Sequence, residues 1–236
     1  MVQNPLYRQV ADKIREQIRS GELKPGDALP TEVKLQQQFG VSRVTIRQAI
    51  KLLVEQDELY SVQGSGTYVR EQRIKHDIYQ LRGFSEEMSS TDRQASTEVL
   101  DFAVTLPPPR VASALGLTEQ ERVVYAKRLR LLDGKPLIVE ETWLPLAMFP
   151  DLSFEVMRRS KYQYIEQEKG LKIDRSEQEI APVLPSPDIC RLLGCSASDP
   201  ILEISSRGFL STGEMFEFSV HHFLTREYKF SLVAKR

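Results

Sequence analysis

The chain has 236 residues, with 32 lysines and arginines against 33 acidic residues and a formal net charge of −1. Hydrophobic residues make up 41% and charged ones 28%, the balance of a core-forming chain, which excludes a disordered, collagen-like or histone-like protein. No apolar run approaches the ~18 residues of a membrane span. Met1-Val2-Gln3-Asn4-Pro5 lacks the basic-then-apolar plan of a secretory signal, so a cytoplasmic protein with no membrane partner is expected.

Residues 1–70 read as three short helices and a hairpin. Asn4 is a capping type and Pro5 suits a first helical position, where its missing N–H is harmless. Tyr7, Val10, Ala11, Ile14 and Ile18 then recur at three and four until Gly21. Leu23-Lys24-Pro25-Gly26-Asp27 is turn chemistry. Thr31 caps a second helix carrying Leu35 and Phe39, which Gly40 ends. Ser42 caps a third, with Ile46, Ala49, Ile50 and Leu53 as its buried stripe. Short β-type runs at Leu59 to Val62 and Thr67 to Val69 flank a hairpin tip, Gln63-Gly64-Ser65-Gly66.

Helix, short turn at Gly40-Val41-Ser42, then helix is helix-turn-helix spacing. Outside the third helix's apolar stripe stand Arg43, Val44, Thr45, Arg47, Gln48 and Lys51. Arg43, Arg47 and Lys51 are each four apart and form one basic line. Guanidinium forks suit guanine edges or phosphates, and Thr45 suits a phosphate or a thymine methyl. A solvated basic face is the alternative reading of the same spacing. Basic and acidic side chains nearly balance over 1–70, which suits a site-specific contact and excludes a non-specific coat on DNA.

Residues 71–80 hold a mixed-charge stretch read as a linker. Beyond it, β-type runs dominate: 96–105, 121–132, 136–144, 171–182, 200–211 and 214–224. Asp133-Gly134 and Ser211-Thr212-Gly213 are hairpin turns, and helical patterns fall near 108–115, 153–169 and 186–193. The expected class is α+β: a helix-turn-helix followed by a hairpin over 1–70, then over 81–236 an antiparallel sheet with flanking helices.

The chemistry of the second part is sparse. It has no P-loop, nucleophile elbow, zincin motif or dinucleotide fingerprint. Cys190 and Cys195 are too few for a disulfide framework, and their spacing, without a nearby histidine, is no zinc signature. His221 and His222 point to opposite faces of a strand. No metal, cofactor or enzymatic turnover is expected. Arg128 and Arg130 share a strand face ~6–7 Å apart and suit a phosphate or carboxylate; a solvated sheet face is the alternative. A three-residue turn at Asp133-Gly134-Lys135 sets Glu140 opposite Arg128, whereas a turn of two or four residues puts Glu141 on the arginine face. On the last hairpin Phe216, Phe218, Val220 and Leu224 form an apolar stripe, and Glu217, Ser219, His221 and Phe223 share the other face. Ser160 and Tyr162 open a helical pattern, where a hydroxyl and free N–H groups suit an anion; packing is the default for Tyr162.

Pro5-Leu6-Tyr7-Arg8-Gln9-Val10, Leu29-Pro30-Thr31-Glu32, Phe39-Gly40-Val41-Ser42-Arg43-Val44-Thr45-Ile46-Arg47-Gln48-Ala49 and Gln63-Gly64-Ser65-Gly66-Thr67-Tyr68-Val69 resemble the winged helix-turn-helix of GntR-family transcription regulators. The resemblance implies that Thr31, Ser42, Arg43, Thr45 and Arg47 meet the major groove or its phosphates. Gln63, Gly64, Ser65, Gly66 and Thr67 would form the wing toward the minor groove. Many members carry arginine where this chain has Val33.

Phe84-Ser85, Arg128-Leu129-Arg130, Pro136-Leu137-Ile138-Val139-Glu140, Ser160-Lys161-Tyr162 and Phe216-Glu217-Phe218-Ser219 resemble the UTRA effector domain of the HutC subfamily, which shares its fold with chorismate lyase. The resemblance implies that Phe84, Ser85, Arg128, Arg130, Glu140, Ser160, Tyr162, Glu217 and Phe223 hold an effector. Ser85, Arg128, Arg130, Ser160 and Tyr162 would take an anionic end, and Glu140, Glu217 and Phe223 a sugar. Relatives usually have tyrosine at the position of Phe223. What the whole resemblance implies is a homodimeric repressor on double-stranded operator DNA, released by a small anionic effector: a sugar phosphate, a glycosylglycerate or a fatty acyl compound. The alternatives are a fatty-acyl-responsive regulator, an activator, or a DNA binder that senses nothing.

Overall fold

The computed structural model describes residues 5–70, 74–77, 79–89, 93–118 and 120–231. Contacts divide the chain into two units, meeting in sequence at Arg73 and Ile74.

In the first unit, α1 (Leu6–Arg19), α2 (Glu32–Phe39) and α3 (Arg43–Glu55) precede the hairpin β1 (Leu59–Val62) and β2 (Gly66–Val69). Apolar residues at helical spacing give one core: Val10, Ala11 and Ile14 of α1, Leu35 of α2, Ile46, Ala49 and Leu53 of α3, closed by Leu59 and Val69. Side-chain caps set the helix starts. Thr31 Oγ1 accepts the Lys34 N–H at 3.4 Å, and Ser42 Oγ accepts that of Thr45 at 3.3 Å. Gly40, left-handed at φ 65°, ends α2. Pro5 stands just before α1, its carbonyl accepting from Arg8 and Gln9; Asn4 lies outside the described residues. Ala28 bridges Tyr68 and adds a short third rung to the wing. Arg15 of α1 grips the buried Glu58 ahead of β1 with Nε and Nη2, at 2.8–3.1 Å, pinning hairpin to helix.

The second unit is built on six strands, β4 (Ala95–Thr105), β5 (Val123–Leu132), β6 (Lys135–Pro145), β7 (Ile173–Val183), β8 (Ile201–Leu210) and β9 (Met215–Phe223). They form one antiparallel sheet in the order β4-β5-β6-β9-β8-β7. One face packs on α5 (Pro109–Leu115) and α8 (Pro187–Leu193) through Val111, Leu115, Ile189 and Leu193. The other packs on α4 (Phe84–Ser89), which buries Met88, and α6 (Phe154–Arg158), which buries Val156 and Met157. Among the described residues no helix is long and apolar enough to cross a membrane, and Cys190 and Cys195 are free thiols.

Three features differ from the sequence reading. The stretch 71–80, read as linker, contains β3 (Ile74–Asp77), which pairs in parallel with β10 (Tyr228–Ser231); residues 71–73 and 78 lie outside the described residues. The helix expected over 153–169 is broken, because Arg159 is extended (φ −101°, ψ −152°). Ser160 then caps a fresh start, α7 (Lys161–Gln163), that runs into a π-helical turn at Tyr164–Glu168. Phe216 leaves the stripe of Phe218 and Val220: a β-bulge opposite Gly208 and Phe209 turns it to the other face, against Val124 and Leu144.

Register follows from another bulge. The β5–β6 turn has two residues, Asp133 and Gly134, both at positive φ (51° and 74°), the geometry of a type I′ hairpin. Alone, that turn would set Val139 opposite Arg128 and put Glu141 on the arginine face, opposite Ala126. Leu137 is an extra residue on β6, so Arg130 pairs with Ile138 and Arg128 with Glu140.

Candidate functional site

In the first unit the exposed basic line is held by one carboxylate. Arg43 Nε lies 2.6 Å from Glu32 Oε2 and Arg47 Nε 3.5 Å from Oε1, with 67% and 69% of the two arginine side chains exposed. Glu32 stands one residue inside α2, so it joins both helices of the helix-turn-helix and aligns two guanidinium groups at a water-facing surface. Lys51 continues the line and pairs with Glu55, one turn on, at 3.7 Å. Between the arginines Val44 is 65% exposed, an apolar spot of the kind that meets a thymine methyl. Thr45 is half-buried, with its hydroxyl 3.0 Å from Ser42 Oγ. Thr31 and Ser42 are exposed and engaged as caps. At the wing tip Gln63, Gly64, Ser65 and Gly66 are exposed and Thr67 half-buried. Gly64 and Gly66, at φ 79° and 141°, make the tight turn. Ser65 Oγ meets Tyr68 OH at 2.5 Å, and Tyr68 stacks on Tyr60, which stiffens the tip.

In the second unit a cavity of about 80 Å³ opens over the sheet face that carries Arg128 and Arg130. On this measure a water needs roughly 10–15 Å³, so the cavity takes a small polar molecule. Of the residues expected there, Phe84, Ser85, Arg130, Glu140, Ser160, Tyr162 and Phe223 line it. Arg128 and Glu217 are absent from its lining and are buried beside it. Lys161, His76, Ser176, Gln178 and Ser206 also line it and were not foreseen. Ser219 and His221, which strand alternation puts on the face of Glu217 and Phe223, line it too.

The arginines are not a free pair. Glu140 lies between them: Arg128 Nη2 meets one of its oxygens, and Arg130 meets the other through Nε at 2.9 Å and Nη2 at 2.8 Å. Arg128 Nη1 donates to the Met157 carbonyl at 3.1 Å and Arg130 Nη1 to Thr97 at 2.7 Å, while Phe84 lies under the Arg130 guanidinium. Lys161 Nζ bridges Glu140 Oε1, at 2.9 Å, and Glu217 Oε1, with Thr142 Oγ1 as a third partner. Tyr162 sets its ring edge-on to Phe216, which ties the cavity wall to the core. Phe223 sits among His221, Tyr228 and Phe230. Gly83 has no side chain toward Ser160, whose Oγ lies 3.7 Å from the place of a Cβ.

Charge states follow from burial and neighbours. Burial disfavours ionisation of Glu140, but Arg128, Arg130 and Lys161 together outweigh it and hold the carboxyl well below its ordinary range. Burial, then Arg128, lowers Arg130 to about 10, still protonated at neutral pH. His221 is pushed down to about 4, first by burial, so it is neutral there. Burial raises the Tyr162 phenol well above its usual value, which keeps it a donor. The buried cluster thus holds three cations, Arg128, Arg130 and Lys161, against two carboxylates, Glu140 and Glu217. Among the described residues, two of its buried atoms, Arg128 Nε and Glu217 Oε2, have no hydrogen-bond partner, so the network is incomplete. Glu140, Glu217 and His221 also bring ligand-type atoms within 4.8 Å of one another. The Lys161 ammonium bridges the two carboxylates where a metal ion would, and both oxygens of Glu140 serve cations, so this set is built around side-chain cations.

Known proteins share both halves. Residues 6–69 match the model for bacterial regulatory proteins of the gntR family, and residues 90–229 match the UTRA domain. Over 236 residues, all of this chain and 98% of the relative, it is 54% identical to MngR, the mannosyl-D-glycerate transport/metabolism system repressor of Escherichia coli K12. It is 30% identical over 213 residues to the repressor NagR of Bacillus subtilis 168, spanning 90% of this chain and 88% of that one. Among solved structures, the possible transcriptional regulator YydK of Bacillus subtilis superposes with a TM-score of 0.62 at 27% identity, over 98% of this chain and 100% of that one. PhnF of Mycobacterium smegmatis gives 0.72 at 22% identity, over 96% and 99%, a likeness of fold. With a gntR-type reading head ahead of a UTRA domain and MngR-like sequence from end to end, the chain belongs to the GntR family of bacterial transcription regulators.

Proposed function

We propose that this protein represses a carbohydrate uptake and metabolism operon of the mannosylglycerate type and leaves its operator when a small anionic effector fills the cavity of the second unit. The observation that carries the reading is the buried excess of one cation beside an open cavity with a serine-rich wall. An anion neutralises that excess, and its hydroxyl groups exchange water for Ser85, Ser160, Ser206 and Gln178. The hydroxyl and amide groups of this lining favour a glycosylglycerate-like compound over a long acyl chain, which has no use for them. The identity with MngR supports the same class. In this reading the cavity binds without turnover and the protein works in the cytoplasm with no cofactor.

Arg43 and Arg47 reach base edges or phosphates in the major groove, Thr31, Ser42 and Thr45 meet the backbone at the helix starts, and Gln63 to Thr67 reach the minor groove. A homodimer places two such heads on half-sites about one helical turn, or a multiple, apart. The test is a fluorescence-anisotropy titration of labelled operator. Mannosyl-D-glycerate should release the wild type. Arg47→Ala should lose ~1–3 kcal/mol on the cognate site if its fork reads a base, or bind all sequences more weakly with a salt slope reduced by about one if it grips phosphate. Operator binding indifferent to mannosyl-D-glycerate, or unmoved affinity and salt slope in Arg47→Ala, overturns the reading.

A further inference from the structure

We infer that Lys161, balanced against Glu217, is a specificity-determining residue that makes the cavity select a singly charged carboxylate effector over a doubly charged phosphate monoester. This rests on the reading of the cavity as an effector site.

Lys161 and Glu217 are 6% and 2% exposed, and Arg128, Arg130 and Glu140 are 0%, 4% and 2% exposed. Charges so little exposed are screened much less than surface ones, so their sum matters more than their number. Glu140 takes both arginines, and the lysine shares Glu140 and Glu217. The remainder is a single positive charge. His221, whose ring nitrogen lies within 4.8 Å of the Glu140 and Glu217 carboxylates, adds none at neutral pH because burial holds it down to about 4. Arg82 lines the cavity but is exposed, and Glu87, also in the lining, is outside the cluster and hydrogen-bonds His76 and Tyr228. One carboxylate therefore brings the buried cluster to neutrality. A phosphate monoester, dianionic above its second pKa of ~6, leaves an unbalanced negative charge in the same low-dielectric space. Two arginines alone would not discriminate, since guanidinium forks suit both heads. The discrimination comes from the lysine and from the carboxylate it bridges.

Calorimetry at pH 8 with mannosyl-D-glycerate and mannose 6-phosphate tests this. The wild type should bind the carboxylate at least about tenfold more tightly, a difference of ~1.4 kcal/mol. Glu217→Gln, which raises the excess to two positive charges, should move the ratio about tenfold toward the phosphate ester. Lys161→Met, which leaves no excess, should weaken the carboxylate about tenfold or more, and Lys161→Arg should restore the wild-type ranking. Circular dichroism and a cooperative thermal transition identify the folded variants; if Glu217→Gln does not fold, the Met and Arg pair at Lys161 decides. A wild type that prefers mannose 6-phosphate, a ratio unmoved in folded Glu217→Gln, or a folded Lys161→Met that binds the carboxylate as wild type overturns the assignment to Lys161 while leaving the cavity an effector site. Binding of neither compound by the wild type overturns the effector reading itself, and this assignment with it.

Discussion

At the scale of single residues, the buried cluster makes stability and binding inseparable. Arg128, fully buried, cannot be treated as a ligand contact alone. Removing it leaves Glu140 short of a partner in the interior, so Arg128→Ala should lower stability by ~3–5 kcal/mol, read as a fall in the urea midpoint without effector. A midpoint within error of wild type would show that Glu140 is solvated in solution. His221 gives a second prediction, through acid. Its folded pKa of about 4 lies below the ~6.5 of an unfolded histidine. Between those values the unfolded chain holds a proton that the folded chain refuses, so stability falls as pH drops through that window. From pH 6.5 to 5 this amounts to ~1.5 kcal/mol, and His221→Gln should lose that much less over the same interval in urea titrations. Glu140 acts lower. Its depressed pKa stabilises the fold above the unfolded value of ~4.3, and that contribution fades as pH falls toward the folded one. Parallel pH dependence in wild type and His221→Gln would place the ring in water.

At the scale of elements, local grammar was legible and bulges were not. Thr31, Gly40 and Ser42 announce where the reading helices begin and end because capping chemistry is written in adjacent residues. Asp133-Gly134 announced its turn for the same reason. The register of Glu140 was open because Leu137, one more apolar residue in an apolar run, has nothing local to mark it as the extra residue. Phe216 was misassigned through a bulge of the same kind. The β3–β10 pair joins the two ends of the second unit, so no turn between neighbours signals it, and His76 reached the cavity unannounced. Lys161 was passed over because a lysine between two polar residues ordinarily snorkels to water; only the carboxylates of β6 and β9, far off in sequence, hold it inside. The second bulge makes a test at this scale. A Cβ at Gly208 would lie 2.7 Å from the Phe216 ring, which is fully buried and also braces Tyr162. Gly208→Ala should therefore cost about 1–3 kcal/mol by overpacking, seen as a lower thermal midpoint, with Phe216→Leu in the same chain recovering part of it. A Gly208→Ala protein as stable as wild type would mean that the bulge yields at no cost.

At the scale of the whole molecule, the reading head and the cavity belong to different units, so control of one by the other is a coupling free energy between sites. Such couplings are typically ~1–3 kcal/mol, a ~5- to 150-fold change in affinity. In sequence β3 opens the second unit and supplies His76 to the cavity wall. Linkage makes the prediction strict. If mannosyl-D-glycerate weakens operator binding by some factor, operator must weaken mannosyl-D-glycerate binding by the same factor. Anisotropy with and without saturating mannosyl-D-glycerate gives the first number. Calorimetry of that compound into free protein and into the operator complex gives the second. Equal factors within error are expected, and charge substitutions at Lys161 should change effector affinity in both states together while leaving their ratio in place, because they act on the ligand and not on the transmission. Release from operator accompanied by an unchanged effector affinity on DNA would break the cycle. The compound would then be acting on the operator DNA or on free protein that cannot rebind, and the cavity would have no equilibrium hold on the reading head.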